Sequence, residues 1–282
     1  MGKKKNIQAI EAMKSIRHGV ELNSEVNPFK VIERKGPKTG EPFWYADDMR
    51  AELGIKDFDA FAKKLELASL ACTAYKLGTS TGKGMGVEGH IVADPKKIIE
   101  TPDGRKFPDT ALSKPASFFT IFNDDYLEEI VLLANAFFVQ GLSHSGIKDF
   151  LRKQATKENK HFQNIVFTQK YGLGYSDFPN AIYKSLFNGL KAKDLCEEMK
   201  LKSRQTPLDF FPSSILSAYV STAKLARNTI AIKDPSRIDA DSVLETYEKS
   251  GKKVLNAIKI AGGKLPEESI DTTQKSEQLR LF

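Results

Sequence analysis

Apolar side chains recur every three to four residues along most of the second half of the chain, which is the spacing of amphipathic helices. Asn123 fits the N-cap position of the first such segment and Gly141 its stop. The segment HSGIKDFLRKQATKENKHF predicts a very basic helix, and QKYGLGYSDFPN after it predicts a loop. The first helix is thus predicted over 124–140, and further helices are predicted over 179–188, 191–200, 206–229 and 239–261.

In the first half of the chain, helical segments are interspersed with strand and turn signals. Residues 5–20 predict a helix, and PFKVIERKGPKTGEPFWYA predicts a pair of strands around the turn Pro37 to Pro42. A short helix stopped by Gly54 and a longer helix ended by Gly78 follow. HIVAD and KKIIETPDGRKFPDT predict strands, the second folded at Pro102-Asp103-Gly104.

The change from mixed signals to helical periodicity sets the predicted fold. The fold class is α+β, with a mixed α/β N-terminal part followed by a mostly helical C-terminal part and a flexible tail. The predicted domains are an α+β domain over 1–120, a helical domain over 121–261 and a tail over 262–282. GGKLPEESIDTTQKSE lacks periodicity, as expected of a flexible linker.

Composition limits the classes of function. The 282 residues are 40% hydrophobic and 28% charged, as in ordinary globular proteins, and the net charge is +7. A basic chain favours a polyanion such as nucleic acid as partner, although some soluble proteins are simply basic. The longest apolar stretch, Ile130 to Val139, is too short to span a membrane, and the N-terminus lacks a signal-peptide core. We therefore expect a cytoplasmic, nucleoid-associated protein without a membrane partner.

Two basic patches are the candidate DNA-binding surfaces. A solvated helix face is the alternative explanation for each. Helix-turn-helix geometry is possible at ADDMRAELGIKDFDAFAKKL and at LKAKDLCEEMKLKSRQTPLDFF, and the second segment carries basic residues around its turn. The patches comprise Lys148, Arg152, Lys153, Lys157 and Lys160 in the basic helix, and Lys193, Lys200, Lys202 and Arg204 around the second candidate.

No catalytic, metal-binding or cofactor-binding constellation is visible in the sequence. Cys72 and Cys196 are too few for a disulfide framework or zinc site, so we expect buried thiols. The glycine-rich LGTSTGKGMGVEGH has the wrong spacing for a P-loop and favours a mobile loop. The four histidines lack metal-ligand spacing. FPDTALSK is similar to nuclease carboxylate arrangements but lacks the acidic residue two places before its lysine.

Several segments together resemble one family. EPFWYADDMRAELGIKDFDAFAKKLELASLAC resembles the start of the bacterial DNA-damage-inducible protein D family and, more loosely, the BRO-type N-terminal domain of phage antirepressors. FNGLKAKDLCEEMKLKS, LDFFPSSILSAYVSTAKLARN and VLNAIKIAGGKLPEE resemble later segments of the same family in the same order. The resemblance implies a role in DNA metabolism or the damage (SOS) response of bacteria or mobile elements, and it supplies no catalytic residues.

The segment QLRLF at residues 278–282 resembles the short motif by which many bacterial proteins dock on the replicative sliding clamp. Leu281 and Phe282 would fill an apolar pocket, Leu279 would add to it, and Gln278 would hydrogen-bond at the rim. The preceding linker would reach about 20–24 Å as a flexible tether. The alternative is a terminal segment folded onto its own domain.

Three functions remain open at this point. The first is a nonenzymatic DNA-binding protein recruited to the clamp during replication or repair. The second is a DNA nuclease delivered in the same way, and the third is an antirepressor-like protein that binds other proteins. The first is preferred because basic charge and a docking segment are visible in the sequence while a catalytic site is not.

Overall fold

The computed structural model describes residues 27–36, 40–75, 77, 90–122, 128–169, 172–174, 176–233 and 238–268. The predicted helix over 5–20, residues 78–89 of the glycine-rich run and the proposed clamp motif lie outside these ranges. The chain divides into two compact units. One comprises residues 1–124 with 137–139, and the other comprises residues 125–136 with 140–282.

The first unit is built on a four-stranded antiparallel sheet with the strand order β1-β2-β4-β3. Its strands are β1 (Arg34–Lys35), β2 (Pro42–Tyr45), β3 (Ile91–Glu100) and β4 (Lys106–Ser113). Its helices are α1 (Pro28–Val31), α2 (Ala46–Glu52), α3 (Phe58–Ala74) and α4 (Lys114–Phe122).

An aromatic cluster around Trp44 forms part of the core of this unit. The Trp44 side chain is fully buried, and its indole Nε1 donates a hydrogen bond of 2.8 Å to the carbonyl of Phe29. The ring of Phe138 lies 4.9 Å from that of Trp44 and 5.4 Å from that of Phe29. Trp44 therefore buries its large apolar surface while its one polar atom keeps a partner.

The second unit is helical in its described residues. Helix α10 lies at its centre, because every residue from Ile215 to Ala226 is buried, and it packs against α6 and α11. A helix buried all round belongs to the interior of a bundle. The helices are α5 (Glu129–Val139, whose last three residues count with the first unit), α6 (Ser145–Gln169), α7 (Asp177–Leu186), α8 (Ala192–Glu198), α9 (Pro207–Phe210), α10 (Ser213–Ala231) and α11 (Ala240–Ile260).

This architecture confirms the α+β N-terminal part and the mostly helical C-terminal part. The predicted hairpin turn is also present, because Gly104 has φ +84° and donates its N–H to the carbonyl of Thr101 at 2.8 Å. The short helix before Gly54 is confirmed as well, and Gly54 has φ +70°. Such positive φ angles favour glycine, which is why these two turns were predictable from the sequence.

Several element boundaries were wrong. Residues 28–31 form α1 rather than a strand, because Asn27 caps the helix and Pro28 occupies its first position. HIVAD and the following strand merge into β3, with a register shift between Asp94 and Ile98. The predicted helix over 206–229 is broken before α10 at Pro212, where a helical N–H would be needed.

Two helices in the middle of the chain also differ from the prediction. Helix α4 was not predicted, because seven of its nine residues are buried and its sequence therefore has no polar face to mark a period. Helix α5 begins at Glu129 rather than near residue 124, and Asn123 lies outside the described residues.

Candidate nucleic-acid interface

Helix α6 has one buried face and one basic face. Leu151, Ala155 and Glu158 are buried, whereas Lys153, Lys157 and Lys160 are exposed. These two sets follow the helical repeat, so each occupies its own side of the helix. The predicted basic helix is therefore amphipathic, with the lysines on the side turned away from the bundle.

Polar contacts with α10 fix the buried face of α6. The Arg227 guanidinium donates to both carboxylate oxygens of Glu158, at 2.7 and 3.0 Å, and the Glu158 side chain is only 4% exposed. Next to this pair, the Tyr219 hydroxyl donates to Asn159 Oδ1 at 2.8 Å. These directional bonds hold the rotation of α6 about its axis and thus the direction of its lysines.

The exposed face of α6 contains a small cleft of about 330 Å³ lined by Lys153, Thr156, Lys157, Lys160 and His161. Lys153 and Lys157 lie four residues apart, as do Lys157 and His161, so these side chains are neighbours on the helix surface. The positive charges of Lys153 and Lys157 repel one another at this spacing, and an anion placed between them relieves the repulsion. The contributions of Thr156 and His161 were missed in the sequence, although their spacing relative to the lysines would have indicated them.

The other two predicted residues of this helix are partly engaged elsewhere. Lys148 is half-buried, and Arg152 forms an ion pair with Asp209 of α9. Asp209 also accepts a hydrogen bond of 3.2 Å from the Thr206 hydroxyl. The charge of Arg152 is therefore partly compensated within the protein, and Asp209 is a residue that sequence reasoning did not identify.

The Arg152–Asp209 ion pair also joins the two predicted basic patches. It links α6 to α9, which directly follows the segment that carries Lys200, Lys202 and Arg204. These three side chains are exposed and form no ion pair within the described part of the chain. Lys193 is exposed too, with a long ion pair of 3.7 Å to Glu197.

The second helix-turn-helix candidate lacks a recognition helix. A long helix was predicted after the turn, over 206–229, but α9 begins at Pro207 and has only four residues. Lys200 and Arg204 have φ +51° and +75°, so the segment is a tight irregular loop. A loop of this kind presents cations to phosphates but offers no helix to a major groove.

The first helix-turn-helix candidate does contain two helices. They are α2 and α3, and Gly54 lies in the turn between them. Helix α3 is long enough for recognition, with 17 residues, and Lys63 on it is exposed. Its outer side also carries the exposed Leu67 and Leu70. That surface is more apolar than the outer face of α6, where no exposed large apolar side chain occurs among the described residues. The cations of α6 are therefore better placed for phosphate contact.

The carboxylate in FPDTALSK, Asp109, has a structural partner. Its buried side chain lies 2.9 Å from Lys97 Nζ, which also lies 3.1 Å from Asp48 Oδ1. The backbone N–H groups of Asp47 and Thr110 donate to Asp109 Oδ1. Among the described residues, no group of three or more His, Cys, Asp or Glu side chains could hold a metal ion.

Next to this cluster, the Tyr45 hydroxyl donates to Asp94 Oδ2 at 2.6 Å. Burial, followed by the hydrogen bond to Asp94, raises the pKa of Tyr45 to about 12. The same hydrogen bond lowers the pKa of the Asp94 carboxyl. This pair connects β2 to β3 and stabilises the sheet beside the register shift of β3.

The two cysteines and His144 each have a structural role, as buried or half-buried thiols and as a helix cap. Burial raises the pKa of Cys72 to about 12 and also raises the pKa of Cys196, which is half-buried, so both remain thiols at neutral pH. His144 Nδ1 accepts a hydrogen bond from the N–H of Gly146 and so caps the start of α6.

No described helix is both long and apolar enough to cross a membrane.

Comparison with known families extends this description. The family model described as the DinD C-terminal domain matches residues 142–279, a range that contains both basic patches. This match supports the resemblance to the DinD family for the C-terminal part of the chain. The N-terminal segment that resembles the BRO-type domain lies outside it. Searches of the curated proteins and of the solved structures found no match.

Proposed function

We propose that this protein is a nonenzymatic DNA-binding accessory factor of bacterial or mobile-element DNA metabolism, acting in the damage response or replication. It contacts DNA through α6 and the loop before α9, and it is recruited to the sliding clamp through residues 278–282. The observation that carries the proposal is the cationic outer face of α6, where the exposed Lys157 and Lys160 form no ion pair with other described residues.

The chemistry of this surface favours phosphate contacts over base contacts. Lysine ammonium groups are compact point charges on flexible stems and lack the rigid planar fork of arginine, which suits them to contacts with phosphates. Neutralising phosphates releases counterions, so affinity should fall steeply as salt rises. We therefore expect binding that tolerates many sequences. The match to the DinD C-terminal domain supports a role in DNA metabolism for the region that carries these patches.

The tail supplies the recruitment step of the proposal. Leu281 and Phe282 act as apolar anchors on the clamp, Leu279 adds contact area, and Gln278 bonds to backbone at the pocket rim. Linear peptides lose conformational entropy on docking, so the isolated motif should bind with only about micromolar affinity. DNA bound to both proteins makes the second contact intramolecular and raises the apparent affinity.

Fluorescence anisotropy with labelled single-stranded and duplex DNA tests the DNA-binding half of the proposal. The doubly substituted variant Lys157→Glu/Lys160→Glu should lose affinity for every sequence and show a shallower salt dependence. The matched control is Lys249→Glu/Lys264→Glu, which changes the net charge equally at exposed sites away from α6. Equal losses in both variants, or no DNA affinity even at low salt, would refute binding through α6.

A cleavage assay separates this proposal from the nuclease alternative. Branched, single-stranded and duplex DNA are incubated with the protein in the presence and absence of Mg²⁺ or Mn²⁺. Binding without cleavage supports the accessory role. Metal-dependent cleavage that persists in independently purified batches would replace it with the clamp-recruited nuclease.

A further inference from the structure

A long groove lies between α7 and α11 in the second unit. It has a volume of about 900 Å³, and its lining extends along α11 from Asp241 to Lys259. At 1.5 Å per residue this part of α11 is about 27 Å long. The two helices approach closely beside the groove, because a Cβ atom on Gly251 would lie 2.2 Å from Ser185 Oγ.

The groove offers apolar surface to a peptide. Leu244 and Leu255 line it from α11 and Leu265 from the segment after α11, and all three are only half-buried. Leu244 and Leu255 lie eleven residues apart, three helical turns along one face of α11. An extended segment with apolar side chains laid along this face would cover them.

The described part of the chain ends at the mouth of this groove. Leu265 and Glu267 belong to its lining, and Glu268 is the last described residue. Residues 269–282 follow, and fully extended they could span about 45 Å, more than the length of the groove. Because the segment is tethered at the mouth, its effective concentration there is on the order of millimolar.

The groove offers charges of opposite sign to two charges of this segment. Lys259 lies at the end next to Leu265, and Lys252 lies midway along α11, where it pairs with Glu248 at 2.8 Å. Asp241 and Glu245 lie at the start of α11, and Asp177 at the start of α7. A segment that runs from Glu268 along the groove places Asp271 near the lysines. It also brings Arg280 to the carboxylates, with Leu279, Leu281 and Phe282 over the apolar lining.

We propose that residues 269–282 dock in the α7–α11 groove of their own chain, so that the groove and the sliding clamp compete for Leu279, Leu281 and Phe282. Only the competition depends on the proposed clamp docking. Docking in the groove is measured separately, without the clamp. Arg280 distinguishes the two sites, because it faces carboxylates in the groove and occupies the variable position of the clamp motif.

The test uses the full chain with Phe282 replaced by 4-fluorophenylalanine, which allows ¹⁹F NMR to report the surroundings of this ring. The wild-type signal should differ from that of the free peptide 269–282. Leu244→Glu and Arg280→Glu should each move the signal to the free-peptide position. Leu70→Glu, at a 66% exposed site in the first unit, is the matched control and should leave the signal unchanged.

Clamp titrations are then made with the same proteins and with the free peptide. The tethered segment has an effective concentration of about 1 mM at the groove. If the groove binds it with a Kd of about 0.1 mM, the groove competes with the clamp about tenfold, so Arg280→Glu should raise the clamp affinity of the full chain about tenfold. In the free peptide the same substitution should change little. The variant Arg280→Glu leaves every described residue of the second unit unchanged, so it stays informative if Leu244→Glu fails to fold.

The outcomes separate the two proposals. A wild-type fluorine signal at the free-peptide position would overturn groove docking and leave clamp recruitment standing. An equal shift in Leu70→Glu would also overturn it. A displaced wild-type signal that both groove variants release, combined with a free peptide that does not bind the clamp, would support groove docking and refute clamp recruitment.

Discussion

Arg227 donates two hydrogen bonds to the carboxylate of Glu158, at 2.7 and 3.0 Å, across the contact between α10 and α6. Glu158 lies between Lys157 and Lys160 in sequence but on the opposite, buried face of the same helix. The pair therefore neutralises the Glu158 carboxylate inside the bundle, while Lys157 and Lys160 on the outer face form no ion pair with other described residues. The electrostatics of the surface thus depend on a contact in the interior.

Replacing Arg227 with methionine should destabilise the protein. The carboxylate of Glu158 would stay buried without its counter-charge. Removing one partner of a buried pair lowers the free energy of unfolding by about 3 kcal/mol, and the loss is smaller here because Arg227 is partly exposed. Urea unfolding measures the loss. The control Lys249→Met breaks an exposed pair with Glu245 and should change the free energy of unfolding by less than about 1 kcal/mol. Similar losses in both variants would contradict the importance of the buried pair.

Asp209→Asn should increase DNA affinity. The substitution keeps the shape of the side chain and its oxygen for Thr206, but it removes the charge that compensates Arg152. One more free cation should strengthen binding several-fold at low salt and steepen the salt dependence by about one unit of slope. Anisotropy titrations at several salt concentrations check this. The double variant Asp209→Asn/Arg152→Gln should lose the gain. If it keeps the gain, Arg152 does not contact DNA.

These two ion pairs show which features of the site the sequence could predict. The lysines of α6 were predictable, because their spacing and number identify a basic helix without tertiary information. Asp209 was not predictable as the partner of Arg152, since 57 positions separate them in sequence. A single helix was predicted over 206–229, but Pro212 lacks the N–H that a continuous helix needs, so the chain is interrupted there and α10 begins at Ser213.

The fold was predictable to a similar degree. Helices with one polar face and turns that need glycine gave clear patterns, as at Gly54 and Gly104. Helix α4 gave none, because burial on all sides removes the period that a sequence can show. The carboxylate cluster at Asp109 depends on Lys97 from the neighbouring strand, a contact that only the sheet register creates.

The Tyr45–Asp94 hydrogen bond should contribute to stability only over a limited pH range. The pKa of Tyr45 is raised to about 12, so its contribution is present below the ordinary value of 10 and is lost as the pH rises towards 12. The pKa of Asp94 is lowered, so its contribution is present above the ordinary value of 3.8 and is lost as the pH falls below it. Tyr45→Phe should therefore destabilise most between about pH 5 and 9.

Urea unfolding at pH 3, 7 and 11 measures this dependence. Phenylalanine keeps the aromatic ring, over which Lys97 Nζ lies at 3.9 Å, so the comparison isolates the hydroxyl. The difference between wild type and Tyr45→Phe should shrink at both extremes. A difference that is constant across the three pH values would assign the effect to packing instead of to the hydrogen bond.

Gly251→Ala should push α7 and α11 apart. The new Cβ would lie 2.2 Å from Ser185 Oγ and 2.3 Å from Ser185 Cβ, so the backbone must move. We expect a loss of about 1–3 kcal/mol in the free energy of unfolding, as for other overpacked positions. Adding Ser185→Gly removes both clashing atoms and should restore part of the loss. Failure of this second substitution to help would place the strain elsewhere.

The sliding clamp should bind the chain through Leu281 and Phe282. Truncating apolar anchors in a desolvated pocket costs about 2 kcal/mol or more each, so Leu281→Ala/Phe282→Ala should abolish measurable binding from a micromolar start. Arg280→Ala in the free peptide 269–282 should change little, because the variable position of the motif faces solvent. Calorimetric titration of the clamp with full chain and peptide measures both effects. Equal binding by wild type and the double variant, or binding by neither, would leave residues 278–282 with a packing role on their own chain.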